Sequence, residues 1–583
     1  MRRRDALLTF AGAAFSAGLV RAGDRITGPD FATRSPVYAR NGAAATAHPL
    51  ATNAALDVLK AGGSAVDAAI AANAALGFLE PTGCGIGGDL FALVWDPKEK
   101  RLFALNATGR SPQGLSLAQR TAREDAMRAK IGRRPQLGSV TVTAPGAVDG
   151  WFALHRRFGK LGIGAVLAPA IGLAEEGAPT PPVIAEYFRR GLNRFKDRHA
   201  AGEIEEIANA LALYFPGDAA PRAGALRRNP ELARTYRLLV SGGRDAFYEG
   251  PVAQTIDAYM RRIGGPLRAA DLAANRPDWV EPISARYRGH DVWQIPPNSQ
   301  GLSTLQMLAI LDGFDMKAAG LNTALSIHLQ AEAKRLAFAD RARLIADPAF
   351  APADVARLLS PDYIAARRAL INPDRANSAL DAAAPSAPDG RDTTSLAVAD
   401  RDGMMVSLIQ SNYRGMGSGL VPDGLGFMLH NRGEAFSLDP KAANAYAPGK
   451  RPFHTIIPGF VTKDGAPVMA FGVMGGAMQP QGQTQILVNM LDHGLDVQSA
   501  GDAARWRHEG GCEPEGDCKA GLGTLNLERG IGPDARKGLE ARGWTLGASD
   551  GGFGGYQAVL RDTATGVYAA ASESRTDGQA GGY

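Results

Sequence analysis

Chemistry in this chain centres on the run from Asp392 to Gly419, DTTSLAVADRDGMMVSLIQSNYRGMGSG. Before it lies ALDAAAPSAPDGR, Ala379 to Arg391, a small-residue, Pro-bearing tract with no apolar period that reads as loop or disorder. From Thr394 the composition changes. Leu396, Val398, Val406 and Leu408 alternate with smaller or polar residues around a DRDG turn at Asp400 to Gly403, which predicts two antiparallel strands. A Thr-Thr pair therefore stands where loose loop becomes buried strand. A cut between Asp392 and Thr393 gives Thr393 a free α-amine beside its own hydroxyl. With a pKa of roughly 7.7–8.0, that amine can take the Oγ proton and replace the base of a Ser/His pair. On this stretch alone the alternative is an ordinary strand opening on Thr, a residue common in strands.

Other elements must hold such a nucleophile. From Ala43 to Leu79, Leu50, Ala54, Val58 and Leu59, then Val66, Ala69, Ile70 and Ala74, recur at helical spacing and predict two helices broken at Gly62-Gly63. The following GCGIGG, Gly83 to Gly88, satisfies GxGxxG but follows a helix and precedes a strand, DLFALVWD. A dinucleotide site needs the reverse order, so these glycines are read as tight backbone turns near the active site. Ser116 to Ile371 is mainly helical by period, as in PPVIAEYFRRGLNRFKDRH and IHLQAEAKRLAFADRARLI, whose charged faces read as solvated surface. Pro296-Pro297-Asn298 ahead of Gln300-Gly301 reads as a rigid structural turn. After Thr393 the chain is strand-rich.

Several of these pieces together carry a resemblance. They are HPLATNAALDVLKAGGSAVDAAIAANAALGFLEPTGCGIGGDLFALVWD, QIPPNSQGLSTLQML, EAKRLAFADRARLIADP, DTTSLAVADRDG, GKRPFHTIIPGF, GVMGGAMQPQGQTQ and the terminal SESRTDGQAGGY. In number and order they resemble the γ-glutamyltransferase family of N-terminal-nucleophile hydrolases nearly end to end. The resemblance implies an α+β fold, a four-layer α/β/β/α sandwich, made as a precursor cut between Asp392 and Thr393. It also implies roles. Thr393 is the nucleophile, Ser411 stands where a second Thr hydroxyl touches it, and the N–H groups of Gly475 and Gly476 form the oxyanion hole.

Substrate-binding positions depart from the family pattern. Counting back from Pro112 puts Thr108 where the family's carboxylate-gripping Arg stands, with Arg110 displaced two residues but able to act as an anion clamp; a structural Arg is the alternative. Tyr413 replaces an Asn, and Ala435, with Glu434 one step before, stands at the Asp that binds the glutamyl amino group. His454 and Thr455 replace paired serines. Both can still donate to a carboxylate or carbonyl, although a packing histidine is an alternative for His454. The short Ser437 to Lys450 segment predicts no extended lid and an open cleft.

With 583 residues, 45% hydrophobic and 21% charged, the chain has ample core for a soluble globular protein. Its +5 net charge is spread over scattered arginines without interleaved aromatics, which argues against nucleic-acid or membrane-surface binding. MRRRDALLTFAGAAFSAGLVRAG has an Arg run, an apolar stretch too short to span a bilayer comfortably, and a small-residue cleavage site at Val20-Arg21-Ala22. Residues 1–22 therefore read as an export signal of twin-arginine type, with a disordered basic tail as the alternative. Export points to a periplasmic or secreted protein. An oxidising compartment permits a Cys512–Cys518 loop disulfide, with Cys84 left alone. No i,i+4 His pair or Cys/His cluster occurs, so no metal and no cofactor is expected.

The expected products are a large subunit, residues 23–392, and a small one, residues 393–583, the two being each other's partners in one sandwich. The expected activity is hydrolysis, favoured over transfer, of a γ-glutamyl-type amide such as glutathione through a Thr acyl-enzyme. The altered pocket supports an alternative, an acylase or amidohydrolase acting on a small anionic acyl amide without an α-amine, resembling the family's cephalosporin-acylase-like and oxamate-amidohydrolase-like branch. An inactive secreted binding protein is a third reading, which Thr393, Ser411, Gly475 and Gly476 argue against.

Overall fold

The computed structural model describes residues 33–378, 392–516, 518–547 and 551–583. The expected export signal and the Ala379 to Arg391 tract lie outside them. The hairpin forms as its alternation predicts: strand Asp392–Ala399 pairs antiparallel with Met405–Tyr413, Leu396 opposite Leu408 and Val398 opposite Val406. Both lie inside a seven-stranded sheet. Its order is Gln579–Gly582, Ala43–Thr46, Asp392–Ala399, Met405–Tyr413, Asp89–Asp96, Arg101–Ala107, Asp278–Val280. A second seven-stranded sheet runs Val37–Ala39, Tyr568–Ser572, Tyr556–Arg561, Ala466–Val473, Gly459–Lys463, His290–Gln294, Ile283–Tyr287.

The period of two along each strand sorts side chains into layers. Leu396, Val398, Val406 and Leu408 join Leu90, Ala92 and Val94 under the helices Pro49–Lys60 and Ala65–Leu79. Their neighbours Ala397, Ala399, Met405 and Ile409 point the other way and meet Phe460, Ala470 and Val559 of the second sheet. That sheet's far face, with Val292, Val461, Met469 and Phe471, is covered by helices Gly301–Leu311, Ala324–Leu344 and Met478–Leu491. Helix, sheet, sheet, helix is the α/β/β/α sandwich.

The helix–break–helix reading holds for Pro49–Lys60 and Ala65–Leu79, the second opened by a capping box in which Ser64 and Asp67 exchange hydrogen bonds. It fails at Ala43–Thr46, which is a strand. AAAT has no period of its own, and pairing with Ala397–Ala399 on one side and Ala580–Gly582 on the other decides its state. Five strands also interrupt the mainly helical stretch from Ser116 to Ile371: the short pair Ala178–Pro179 and Leu226–Arg227, and then Asp278–Val280, Ile283–Tyr287 and His290–Gln294. Cys512 and Cys518 are joined by a disulfide at the end of a separate hairpin, and Cys84 is buried and free.

Candidate active site

Thr393 sits at an irregularity in the central hairpin. Asp392 pairs with Tyr413 and Thr394 with Gln410, so Thr393 alone faces the two residues Ser411 and Asn412. Such a bulge bends the strand and re-aims side chains. Here the Thr393 hydroxyl donates to Ser411 Oγ at 3.1 Å, and Ser411 Oγ also accepts the Tyr413 N–H at 2.8 Å. Tyr413 has a left-handed backbone, φ 78°, a strained conformation for a bulky residue. Thr393 is only 4% exposed.

The GCGIGG segment is wrapped against this pair. A Cβ on Gly83 would lie 3.3 Å from the Thr393 nitrogen, and one on Gly88 would lie 2.5 Å from the Ser411 carbonyl oxygen. The Asn412 N–H donates to the Gly83 carbonyl at 3.0 Å. These glycines are required by close backbone approach, as their order in the sequence suggested.

Gly475 and Gly476 lie just ahead of helix Met478–Leu491, whose first N–H groups, from Met478 and Gln479, bond their carbonyls. Their φ angles, 111° and 58°, are both positive. Gln300 fixes the pair from the side: its Nε2 donates to the Gly476 carbonyl at 2.9 Å and to the Thr455 carbonyl at 2.6 Å, and its Oε1 accepts from Arg341 Nη1 at 2.8 Å. Arg341 in turn pairs with Glu513, inside the loop that the Cys512–Cys518 disulfide closes. Gln300 belongs to the turn after Pro296-Pro297-Asn298, so that turn braces the site.

The remaining expected residues divide into two groups. His454 is fully buried, its Nε2 3.1 Å from Asp89 Oδ2 and its ring edge-on to Phe91. Burial, with Arg432 nearby, lowers its pKa to about 3, so the imidazole is neutral. Asp89 also accepts from the Gly109 and Gly146 N–H groups, at 2.9 and 3.2 Å. Thr455 Oγ1 accepts from Arg432 Nη1 at 2.9 Å, and that guanidinium stacks 3.9 Å above the centre of the Tyr413 ring. Thr455 and Arg432 are thus linked to Ser411 through Tyr413, whose N–H bonds the Ser411 hydroxyl. Arg110 stands elsewhere, with Asp347 at 3.4 Å, Asp278 at 3.7 Å and the Gly449 carbonyl at 3.2 Å. Thr108 bonds Asn106.

Sequence reasoning missed Arg432, Gln300 and Asp89. Arg432 carried a usable signal, an arginine three residues before Ala435 in a segment already singled out. Gln300 and Asp89 act through neighbours distant in the chain, which spacing does not reveal.

A cavity of about 950 Å³ reaches Thr393 and Gly475 from one side, with Tyr187, Phe553, Gly554, Arg575 and Thr576 among its walls. None of the residues from Ser437 to Lys450 is among its walls. His454, Thr455, Tyr413 and Arg432 are not among its walls.

Two predictions arise from this geometry. Ser411→Ala is expected to slow turnover about 100-fold, because Thr393 Oγ loses the hydroxyl it donates to, while Ser411→Thr keeps most of the rate; steady-state kinetics of the two variants check it. The second concerns acid. An unfolded His454 takes up a proton near its ordinary pKa of 6.5, whereas the folded one resists protonation down to about 3. Stability is therefore expected to fall as pH drops through that window, by up to about 1.4 kcal/mol per pH unit from this group. Denaturant titrations of the Thr393→Ala chain between pH 7 and pH 5 read the slope, and adding His454→Gln should make it shallower.

An α/β/β/α sandwich, with a threonine at a sheet bulge that is paired with a second hydroxyl and shares a cavity with Gly475, is the architecture of the class of N-terminal-nucleophile hydrolases. Within it, the family model described as Gamma-glutamyltranspeptidase matches residues 51–583, and the chain belongs to that family of enzymes. It is 35% identical over 462 residues to the "Glutathione hydrolase-like YwrD proenzyme" of Bacillus subtilis, covering 79% of this chain and 83% of that protein. It is 35% identical over 477 residues to the "Oxamate amidohydrolase proenzyme" of Klebsiella pneumoniae, covering 80% and 85%. Among solved structures, cephalosporin acylase from Bacillus halodurans superposes with a TM-score of 0.85 at 41% identity, over 96% of this chain and 99% of that one. Among the described residues no helix is long and apolar enough to cross a membrane.

Proposed function

We propose that this chain is an exported amidohydrolase precursor that cuts itself between Asp392 and Thr393 and then uses Thr393 to hydrolyse a small anionic acyl amide. The observation that carries this reading is the Thr393 hydroxyl, hydrogen-bonded to Ser411 and beside Gly475 at the wall of an open cavity. In maturation, Thr393 Oγ attacks the Asp392 carbonyl carbon. The acyl group passes from nitrogen to oxygen, and water hydrolyses the ester to release residues 23–392 and a small subunit beginning at Thr393. In turnover, the new α-amine takes the Oγ proton as the oxygen attacks the substrate carbonyl, and the Gly475 and Gly476 N–H groups receive the oxyanion. The leaving amine departs with a proton, and water resolves the acyl-enzyme.

Two residues of the turn Arg432–Ala435 favour an acyl group without an α-amine. Ala435, where an ammonium-binding carboxylate would stand, is fully buried in an apolar cluster with Leu302 and Phe453. Glu434 beside it is held by Arg414 at 2.8 Å. A γ-glutamyl ammonium would thus be desolvated without a free partner. Hydrolysis of a γ-glutamyl amide such as glutathione is the second reading, supported by the relative named glutathione hydrolase-like.

Two measurements test the proposal. Intact mass and N-terminal sequencing should find two chains, the smaller opening Thr-Thr-Ser; a single uncut chain would sink it. Glutaryl-p-nitroanilide, which is γ-glutamyl-p-nitroanilide without its amine, should then be the better substrate by at least about tenfold in kcat/KM, the effect of roughly 1.4 kcal/mol of lost pairing. The opposite order favours the γ-glutamyl reading.

A further inference from the structure

Arg432 is fully buried in the short turn Arg432–Ala435. Its Nη1 has a partner, the Thr455 hydroxyl, but its Nε and Nη2 have none. It is the one arginine among the described residues with two buried nitrogens lacking a hydrogen-bond partner. The nearby carboxylates are committed: Glu434 to Arg414, and Asp89 to His454 and two backbone N–H groups. Burial lowers the pKa of Arg432 to about 10, which still leaves it charged at neutral pH. A buried guanidinium with orphaned donors and no ion pair is costly, and Tyr413 stacked on its face holds it in place.

The orphaned nitrogens are not a random pair. Nε and Nη2 share one edge of the planar group and present two parallel N–H bonds, the fork that a carboxylate accepts with both oxygens. The position is equally specific. On one side is Tyr413, whose N–H holds Ser411; on the other is Thr455, whose carbonyl shares the Gln300 amide nitrogen with the Gly476 carbonyl. The large cavity that reaches Thr393 and Gly475 does not include Arg432.

Resting on the reading of Thr393 as nucleophile and of the substrate as an anionic acyl amide, we propose that the Nε/Nη2 edge of Arg432 is the group that binds the carboxylate of the acyl group. Thr108 leaves the family's arginine position neutral and Arg110 is engaged with Asp347 and Asp278, so Arg432 supplies the charge from a different element of the chain.

The test compares processed wild type, Arg432→Gln and Arg432→Lys on glutaryl- and succinyl-p-nitroanilides and on isosteres whose terminal carboxylate is a carboxamide. In Arg432→Gln, kcat/KM for the carboxylated substrates is expected to fall about 100-fold or more, as for loss of a buried charge pair. The carboxamide isosteres should change less than about threefold, because both they and the Gln side chain are neutral. Arg432→Lys keeps charge but loses the fork, and should lose about tenfold on carboxylated substrates only; it carries the test if the Gln variant does not fold. Equal loss on both substrate types, or none, overturns the proposal. Calorimetric titration with glutarate and succinate gives a readout free of turnover: wild type should bind one of them, and Arg432→Gln at least about 30-fold more weakly, the lower end for a truncated buried charge pair. Wild type that binds neither, or a variant that binds equally well, also overturns it. Failure of the Thr393 reading appears separately, as an uncut wild-type chain in the mass spectrum.

Discussion

Thr393→Ala is expected to yield one uncut chain and an activity loss of more than about 10⁴-fold, because the nucleophile and the amine that activates it are the same residue. The effect is compound. Without Oγ no attack on the Asp392 carbonyl occurs, so position 393 never gains an α-amine, and the substrate then meets neither nucleophile nor base. Ser411 stands beside the lost oxygen, but its Oγ is a fixed acceptor for the Tyr413 N–H. Intact mass beside the p-nitroanilide assay checks both halves. Cleavage at the normal position in the Ala variant would place the maturation nucleophile elsewhere.

Gly475→Ala is expected to cost about 10²- to 10³-fold in kcat, the scale for loss of one oxyanion donor, with KM changed little. The reason is backbone geometry. At φ 111° no L side chain is comfortable, and the added Cβ would lie 3.2 Å from the Met478 Cβ and 3.3 Å from the Gly554 Cα. Relief requires the 475–476 peptide to turn, which swings an N–H away from the reacting carbonyl. Strain of this kind amounts to about 1–3 kcal/mol, so the variant should fold with a lower thermal midpoint. Gly476, at φ 58°, lies in the left-handed well, where an L residue costs about 1–2 kcal/mol; Gly476→Ala should therefore be the milder of the two. Steady-state kinetics with thermal melts of both variants distinguish lost catalysis from lost fold.

Much of this arrangement was readable in the residues. Leu396, Val398, Val406 and Leu408 do share one face, and that alternation sets the hairpin register and brings Thr393 opposite Ser411. GCGIGG was readable because its order relative to helix and strand excluded one use of glycine and left close packing. Less visible was anything that depends on an encounter between distant segments. Ala43–Thr46 is a strand only because two other strands flank it. Arg432 is distinctive only through what fails to pair with it, and the choice between an anion clamp and a structural role for Arg110 turns on Asp278 and Asp347, which converge on it. Residue type and spacing report what a side chain can do; which partners are already taken is a property of the folded contacts.

The strand order of the first sheet has a consequence for how long the mature molecule lasts. After the proposed cut, Ala43–Thr46 of one fragment lies between Gln579–Gly582 and Asp392–Ala399 of the other, while Met405–Tyr413 leads on to Asp89–Asp96 of the first. Neither fragment owns a whole sheet, so neither has a fold to return to alone. The intact precursor can find this arrangement as a single chain; two separated pieces must find it as a bimolecular reaction against aggregation of their exposed edges. Durability then becomes a waiting time, set by the barrier to first opening, and heat inactivation should follow scan rate instead of a reversible midpoint.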